Sequence, residues 1–345
     1  MQTKYRKLSF LTDIPGMKTS LGDMLGIGFP RQPILNKKAS LDTRKILFDE
    51  DWVIKTLAEK VARHPANSLE YPFQGEKIFE EPLVGFVRGD DPLFEDFKKV
   101  IGPFHFTPRE IMAWQASKNG IPAPEPENIS VVSFILPISK ATRAENGRKD
   151  DWPSERWAQT RRSGEIFSQT IVQEIVKTLM DAGVLAVAPD MTPMFNFKKH
   201  PGVGWASPWS HRHVAYAAGL GTFGMNDLLI TEKGSAHRCG SFVASIRLRP
   251  NRERNENMHA HCLQYQGIPC LKCQQRCPVQ AVSESGHDKA VCGKRVIDSI
   301  KYCNRNYHIF IYGCGLCSTR IPCENSIPKE LRELPSSGHR EQLAL

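Results

Sequence analysis

No stretch of the 345 residues is apolar for long enough to cross a bilayer. The longest apolar stretches, such as Ile129 to Ile138, fall well short of the ~20 residues a membrane helix needs. The N-terminus, Met-Gln-Thr-Lys-Tyr-Arg-Lys, is basic, but no apolar segment follows it and no twin-arginine pair stands in an export context. The expectation is a cytoplasmic protein with no membrane span. No block of Arg and Lys interleaved with aromatic residues is present, so no nucleic-acid motif can be read. Cysteine is almost absent before residue 262, where only Cys239 occurs.

The remaining nine cysteines fall between Cys262 and Cys323. Cys270-Leu-Lys-Cys273-Gln-Gln-Arg-Cys277-Pro278 is followed by Cys314-Gly-Leu-Cys317 and then Cys323. A Cys-x2-Cys pair puts two thiolates on one tight turn, where they can share a soft metal centre. In bacterial ferredoxin runs the cysteine before the proline serves the other cluster, so two runs interlock. By that logic one [4Fe–4S] cluster takes Cys270, Cys273, Cys323 and a nearby upstream thiolate. Gly267 stands where the ordinary run has its third ligand, and Cys262 is the upstream cysteine close enough to replace it. The other cluster takes Cys277, Cys314, Cys317 and either Cys292 or Cys303. Cys292 is preferred, lying 15 residues after Cys277 and just before an expected helix from Gly293 to Ile300. Zinc ribbons also use Cys-x2-Cys pairs, and disulfides would need an oxidising compartment; the Cys-Pro run with a distant partner pair favours clusters over both. Each cluster with four thiolates carries about −2, so the formal charge of +9 falls to about +5 when both form.

The chain is long enough for one large domain and a small one. The expected division is an N-terminal arm (1–75), a main core (76–250), the cluster segment (251–330) and a charged tail (331–345). Val53, Leu57 and Val61 predict a helix over Asp51 to Arg63. Leu83 to Val87 reads as a strand, followed by a helix from Leu93 to Val100 that an Asp of the preceding turn can cap. Thr107-Pro108-Arg109-Glu110 has the form of a capping box with Pro at the first helical position. Ile129 to Pro137 reads as a strand buried on both faces. Lys140 to Trp152 reads as a charged, flexible insert. A long helix follows from Arg156 to Ala182, with Ile166, Ile171, Ile175 and Leu179 as its apolar stripe and Gly183 past its end. Val184 to Ala188 and Ser241 to Leu248 read as strands, with Gly234 to Gly240 as a polar turn before the latter. Helices covering a sheet give an α/β or α+β sandwich.

Ser207 to Ile230 is the second informative stretch: a Ser-capped helix, a turn with Gly219, Gly221 and Gly224, and a strand. These glycines permit positive φ and the approach of a large flat ligand to the backbone. The order helix–turn–strand is the reverse of the dinucleotide-binding unit, which argues against a nicotinamide cofactor.

Pro208, Arg212, Ala218-Gly219-Leu220-Gly221, Gly224, Asn226, Leu228-Leu229-Ile230 and Gly234-Ser235, followed by the cysteines in this order, resemble the epoxyqueuosine reductases and reductive dehalogenases over residues 80 to 325. The resemblance implies a nitroreductase-like cobalamin-binding core with a C-terminal ferredoxin-like domain holding two [4Fe–4S] clusters. It implies corrinoid contacts from Ser207, Arg212, Gly219, Gly221, Gly224 and Asn226. It departs from the epoxyqueuosine reductases at two positions. Trp205 stands where those enzymes have an Asp proposed as proton donor, and His211 where they have a Glu. Their tRNA-binding repeat domain is also missing, so tRNA is not the favoured partner. Arg238, after Gly234-Ser235, is closer to the reductive dehalogenase pattern.

What the resemblance implies chemically is electron entry from a reduced ferredoxin or flavodoxin-type donor, passage through the clusters to cobalamin, and reductive cleavage or deoxygenation of a small organic substrate. No Asp-x-His-x-x-Gly corrinoid box occurs, so no histidine ligand to cobalt is expected. Such a reduction needs a proton donor. His211 is the first candidate, with His237 in the adjacent turn, and Arg238 is suited to hold an anionic or carbonyl group. His213 lies on another face of the same helix, and Tyr216 and Cys239 read as core residues. The alternative is an electron-transfer or activator protein whose clusters relay charge to a partner.

Overall fold

The structure is a computed structural model that describes residues 32–37, 48–195, 198–200 and 204–332. The expected N-terminal arm and charged tail therefore lie mostly outside the described residues.

The first helix, α1 (Glu50–Arg63), starts where the Asp49 carboxylate accepts from the Trp52 amide, and it buries Val53, Leu57 and Val61. Strand β1 (Leu83–Arg88) leads to α2 (Leu93–Val100). The Asp91 side chain accepts from the Leu93 amide at 2.9 Å. Helix α3 (Pro108–Lys118) opens on the expected capping box between Thr107 and Glu110. Strand β2 (Ser130–Pro137) is buried at every position. Where an insert is expected, the chain forms α4 (Lys140–Gly147). Its buried face is polar, made of Thr142, Arg143 and Asn146, which is why the apolar pattern gives no sign of it. The long helix α5 (Glu155–Asp181) buries Phe167, Ile171, Ile175 and Leu179; Ile166 is only half-buried, and Phe167 takes its place in the stripe. Gly183 follows at φ +79°, as a helix end needs.

Strand β3 is reduced to Ala186–Val187. Two small hairpins follow, β4 (Lys198–His200) with β5 (Gly204–Ala206), and β6 (Gly221–Phe223) with β7 (Leu229–Thr231). Helix α6 (His211–Ala217) lies between them. Strand β8 runs from His237 to Ala244, four residues earlier than its apolar run predicts. His237, Arg238 and Cys239 are therefore strand residues opposite Pro137, Leu136 and Ile135, not part of a turn.

The main sheet has the order β1-β2-β8-β3, and every pairing in it is antiparallel. The mixed helix-and-sheet expectation thus takes its α+β form. Alternation along β8 separates the layers: Arg238 meets Glu165 of α5 on one face, while Ser241 meets Trp209 and His211 at the start of α6 on the other. One apolar core runs from Leu35 to Leu248. Beyond it, helix α7 (Lys289–Tyr307), longer than the helix expected from 293, carries Cys292 on its first turn and Cys303 near its end. Among the described residues no helix is long and apolar enough to cross a membrane.

Candidate functional site

The cysteines after residue 260 gather in two adjoining groups. Cys262, Cys273 and Cys323, with Cys277 beside them, pack around Met225, Ile230 and Val282. Burial pushes the Cys323 thiol up to about 12, helped by the closeness of Cys273, Cys262 and Cys270. Cys273 is raised to about 12 by burial and by Cys262 and Cys270. The turn after β7 holds this group: the amide of Ser235 donates to the Cys323 carbonyl at 2.8 Å, and its hydroxyl to the Cys323 Sγ at 3.9 Å. Gly234 has φ +76°, and a Cβ there would lie 2.3 Å from the amide nitrogen of Asn325. Only glycine lets these two segments touch.

In the second group, burial raises the Cys317 thiol well above its ordinary value, followed by Cys314, Cys292, Cys273 and Cys277. Cys277, Cys292, Cys314 and Cys317 form one wall of a cavity of about 330 Å3. Cys303 does not line the cavity: it is fully buried in a small apolar group with Ala158, Ile309 and Ile311, close enough to Cys314 to feel its charge. Core contacts tie the group down. Asn226 Nδ2 donates to the Cys317 carbonyl at 2.8 Å. Arg276, whose residue is buried, donates to the carbonyls of Leu316, Thr319 and Asn146 and to Asp150. His287 Nδ1 pairs with Asp227 at 3.1 Å, and the ring also meets Cys292.

Much of the remaining lining comes from the main core. Arg238 and His237 reach it from the start of β8, Arg161 from α5 and Arg212 from α6. Glu165, one helical turn from Arg161, accepts from Arg161 Nη1 at 2.9 Å and also from Arg238 Nη2. Despite burial, these two guanidiniums hold its carboxyl down at about 2. Arg161 Nη2 donates to the Tyr312 hydroxyl at 2.9 Å. Sequence reasoning missed Arg161, Glu165 and Tyr312. The Arg-x3-Glu spacing and a tyrosine two residues before Cys314 were visible, but neither is distinctive without the cavity.

The expected catalytic residues separate. His211 does not line the cavity: Nδ1 bonds Ser241 Oγ at 2.8 Å and Nε2 faces Asp190 at 3.3 Å, on the other side of the sheet. His237 lines it, but its Nε2 hydrogen goes to the Leu229 carbonyl at 2.8 Å, its Nδ1 faces Cys239 Sγ at 3.5 Å, and burial lowers its pKa to about 4. It is neutral and committed, a poor proton donor at neutral pH. Arg238 lines the cavity.

Of the six expected corrinoid contacts, Arg212 and Asn226 line the cavity. Ser207 Oγ donates to the Trp209 carbonyl at 2.9 Å. Only Gly219 of the three glycines has positive φ, at +71°. A Cβ on it would stand 2.8 Å from the Glu253 carbonyl oxygen, and one on Gly221 would stand 2.4 Å from the Ile230 carbonyl oxygen. At Gly224 the nearest atom would be Asn226 Oδ1, at 3.0 Å. The close approach these glycines allow on the side of a Cβ is to the chain itself. Trp205's side chain lies outside the described residues.

No protein-family model matches the chain. A tetrachloroethene reductive dehalogenase of Desulfitobacterium hafniense is 30% identical over 117 residues, 33% of this chain and 20% of that protein. The corresponding enzyme of Dehalobacter restrictus is 35% identical over the same span. The match thus spans one fifth of the length of these relatives. Among solved structures, a reductive dehalogenase described in terms of B12-dependent dehalogenation superposes with a TM-score of 0.49 at 16% identity, covering 90% of this chain and 36% of that one. An epoxyqueuosine reductase superposes with a TM-score of 0.39 at 16% identity, covering 79% of this chain and 66% of that one. Over a third of its length, the chain resembles the reductive dehalogenases.

Proposed function

We propose that the chain is an iron–sulfur oxidoreductase of the reductive dehalogenase and epoxyqueuosine reductase type, holding two [4Fe–4S] clusters. One takes Cys262, Cys270, Cys273 and Cys323; the other takes Cys277, Cys292, Cys314 and Cys317. The observation that carries this reading is the cavity itself, in which four cysteines of the second group face Arg238, Arg161 and Arg212. The donor set fits a cluster better than zinc. Zinc also takes thiolates ~2.3 Å from one point, but the Cys-Pro run with its distant partner pair is the arrangement of a cluster. Arg295 also fits: its Nε is shielded from water without a partner, and its charge acts on the Cys314 thiol. An anionic cluster would satisfy it. When bound, the clusters supply single electrons at low potential.

The chain's own residues do the rest. Arg238 and Arg161 present donors to a substrate opposite the second cysteine group, and Glu165 fixes both guanidiniums. Tyr312, which lines the cavity and accepts from Arg161 through its hydroxyl oxygen, is the candidate proton donor to a reduced carbon or oxygen there. Trp157, Ile138 and Leu228 line the cavity and exclude water. The reaction class is two-electron reduction of a small organic molecule, either reductive cleavage that takes up one proton and releases a halide, or deoxygenation that takes up two protons and releases water, with electrons from a reduced ferredoxin or flavodoxin-type protein.

Cobalamin, which the resemblance implies, fits less well. At about 330 Å3 the cavity is at the low end for a drug-sized ligand, and a corrinoid is larger. No step is derived through it. The position of His211 away from the cavity favours a second reading, a protein that only relays electrons to a partner. Anaerobically prepared protein from cells supplied with cobalamin tests these readings through its iron, cobalt and sulfide content. About eight irons per chain are expected; fewer than four would defeat the cluster assignment. One cobalt per chain would restore the corrinoid. Turnover of a halogenated or epoxide substrate with an artificial reductant would exclude the pure relay.

A further inference from the structure

The two cysteine groups stand in different electrostatic surroundings. Four arginines line the cavity together with Cys277, Cys292, Cys314 and Cys317, and among the described residues no Asp or Glu does. Arg161 and Arg238 share Glu165, and Arg276 and Arg320 share Asp150, so at both places two guanidiniums meet one carboxylate. Arg295, beside Cys314, pairs with Asp151. Its side chain is 12% exposed against 66% for Asp151, so water screens the carboxylate more than the cation. The amide of Ala281 also donates to Cys277 Sγ at 3.2 Å. The first group has no such company. Residues 257–275, which carry Cys262, Cys270 and Cys273, hold one formal charge, Lys272, and it is exposed. The main influences on the Cys273 and Cys323 thiols are burial, the other cysteines, backbone amides at Cys273 and the Ser235 hydroxyl at Cys323. Beside Cys323, Arg143 meets both Glu324 and Glu80, so carboxylates outnumber the cation there.

We infer that these arginines set the order of electron flow, holding the second [4Fe–4S] cluster at a higher reduction potential than the first, with Arg295 as the residue that tunes it. This rests on the reading of the cysteines as two cluster sites and adds the direction in which charge moves between them. A cluster with four thiolates goes from about −2 to about −3 when it takes up an electron. Nearby cations and hydrogen bonds to sulfur favour the more negative form and so raise the potential. One electron then leaves the first cluster, which is oxidised, and enters the second, which is reduced, with no proton moved. The reduced ferredoxin or flavodoxin-type donor replaces it. None of Cys262, Cys270, Cys273 and Cys323 lines the cavity, so the arginines make the electron rest at the group that does, beside Tyr312. Arg295 acts through the cluster and not on the substrate.

The test is a redox titration of the full chain, prepared anaerobically, assayed for iron and followed by electron paramagnetic resonance. Two one-electron waves are expected, at least about tenfold apart in electron affinity, or about 59 mV. Arg295→Gln should lower the upper midpoint by roughly half that span and leave the lower one in place. Arg295→Lys, which keeps the charge, should hold both. A merely structural role would change iron content without moving a midpoint. If Arg295→Gln loses iron or fails to fold, Arg238→Gln is read in the same way. Two waves less than tenfold apart, a shift confined to the lower wave, or an upper midpoint unmoved by both substitutions would overturn the inference. Wild-type protein with fewer than four irons would instead defeat the reading of the site.

Discussion

Glu165 sits between two arginines that both face the cavity, and replacing it with Gln keeps its shape while removing its charge. Its side chain is 14% exposed, as is Arg161's to within a per cent, so solvent screens the pair little. Lowering the carboxyl from 4.5 to about 2 is worth about 3 kcal/mol at 1.36 kcal/mol per pH unit. Breaking a buried pair by removing one partner costs about 3–5 kcal/mol, since the cation stays behind uncompensated. Glu165→Gln should therefore destabilise the protein by about 3 kcal/mol at pH 7. With a slope near 3 kcal/mol per molar, the urea midpoint would fall by roughly 1 M. The sign of the pH dependence follows from a depressed carboxyl. Its stabilisation is complete above about 4.5 and is lost as pH falls towards 2, so wild type and variant should converge in acid. Adding Arg238→Gln should recover part of the loss, because the double variant strands one cation fewer. Anaerobic urea unfolding followed by tryptophan fluorescence measures all of this. A Glu165→Gln variant within 1 kcal/mol of wild type at pH 7, or a gap that persists unchanged at pH 3, would refute the electrostatic account.

Other substitutions probe the two cysteine groups and the neutral histidines. Cys292→Ser should remove about four irons per chain, whereas Cys303→Ser should leave the iron content intact, since Cys303 is packed with Ala158, Ile309 and Ile311; iron assay and cluster absorbance distinguish them, and the opposite pattern would exchange their assignments. Gly234→Ala must put a Cβ 2.3 Å from the Asn325 amide at φ +76°, a conformation that alone costs about 1–2 kcal/mol for an L-residue. It should loosen Cys323 and lower iron towards four per chain, and unchanged iron and stability would show that the backbone shifts at little cost. His213, packed between Phe97 and Phe223, is held by burial at about 3, below its ordinary 6.5. The unfolded chain takes up that proton first, so stability should fall as pH drops from about 6.5 towards 3. His213→Asn should flatten that slope in urea titrations between pH 7 and 5, and an unchanged slope would place the acid sensitivity elsewhere.

The parts of the chain whose burial is apolar could be read from sequence; the parts whose burial is polar could not. Strand β2 has no charge over eight residues and is buried throughout, and the Thr107–Glu110 capping box stands where its residue types demand it. The Cys-x2-Cys pairs could be picked out for a related reason, since tight turns leave each pair little freedom. Helix α4 was missed because the face it buries is Thr142, Arg143 and Asn146, which serve the cysteine segment: Asn146 meets Thr319 and Arg276. The start of β8 was misread for the same cause. His237 and Arg238 have the composition of a turn, yet they complete a ladder with Pro137 and Leu136 and form the cavity wall. His211 shows the converse error, because a plausible residue beside a matching motif says nothing about which face of the sheet it joins. That face is set by the register of Ser241 with Ser133, which directs the Ser241 hydroxyl towards Trp209 and His211 and leaves Arg238, three residues earlier, to turn the other way. In this chain part of the cavity wall is the polar end of a core strand, so the pattern that hides it from sequence reading is the same one that brings its charges to the cavity.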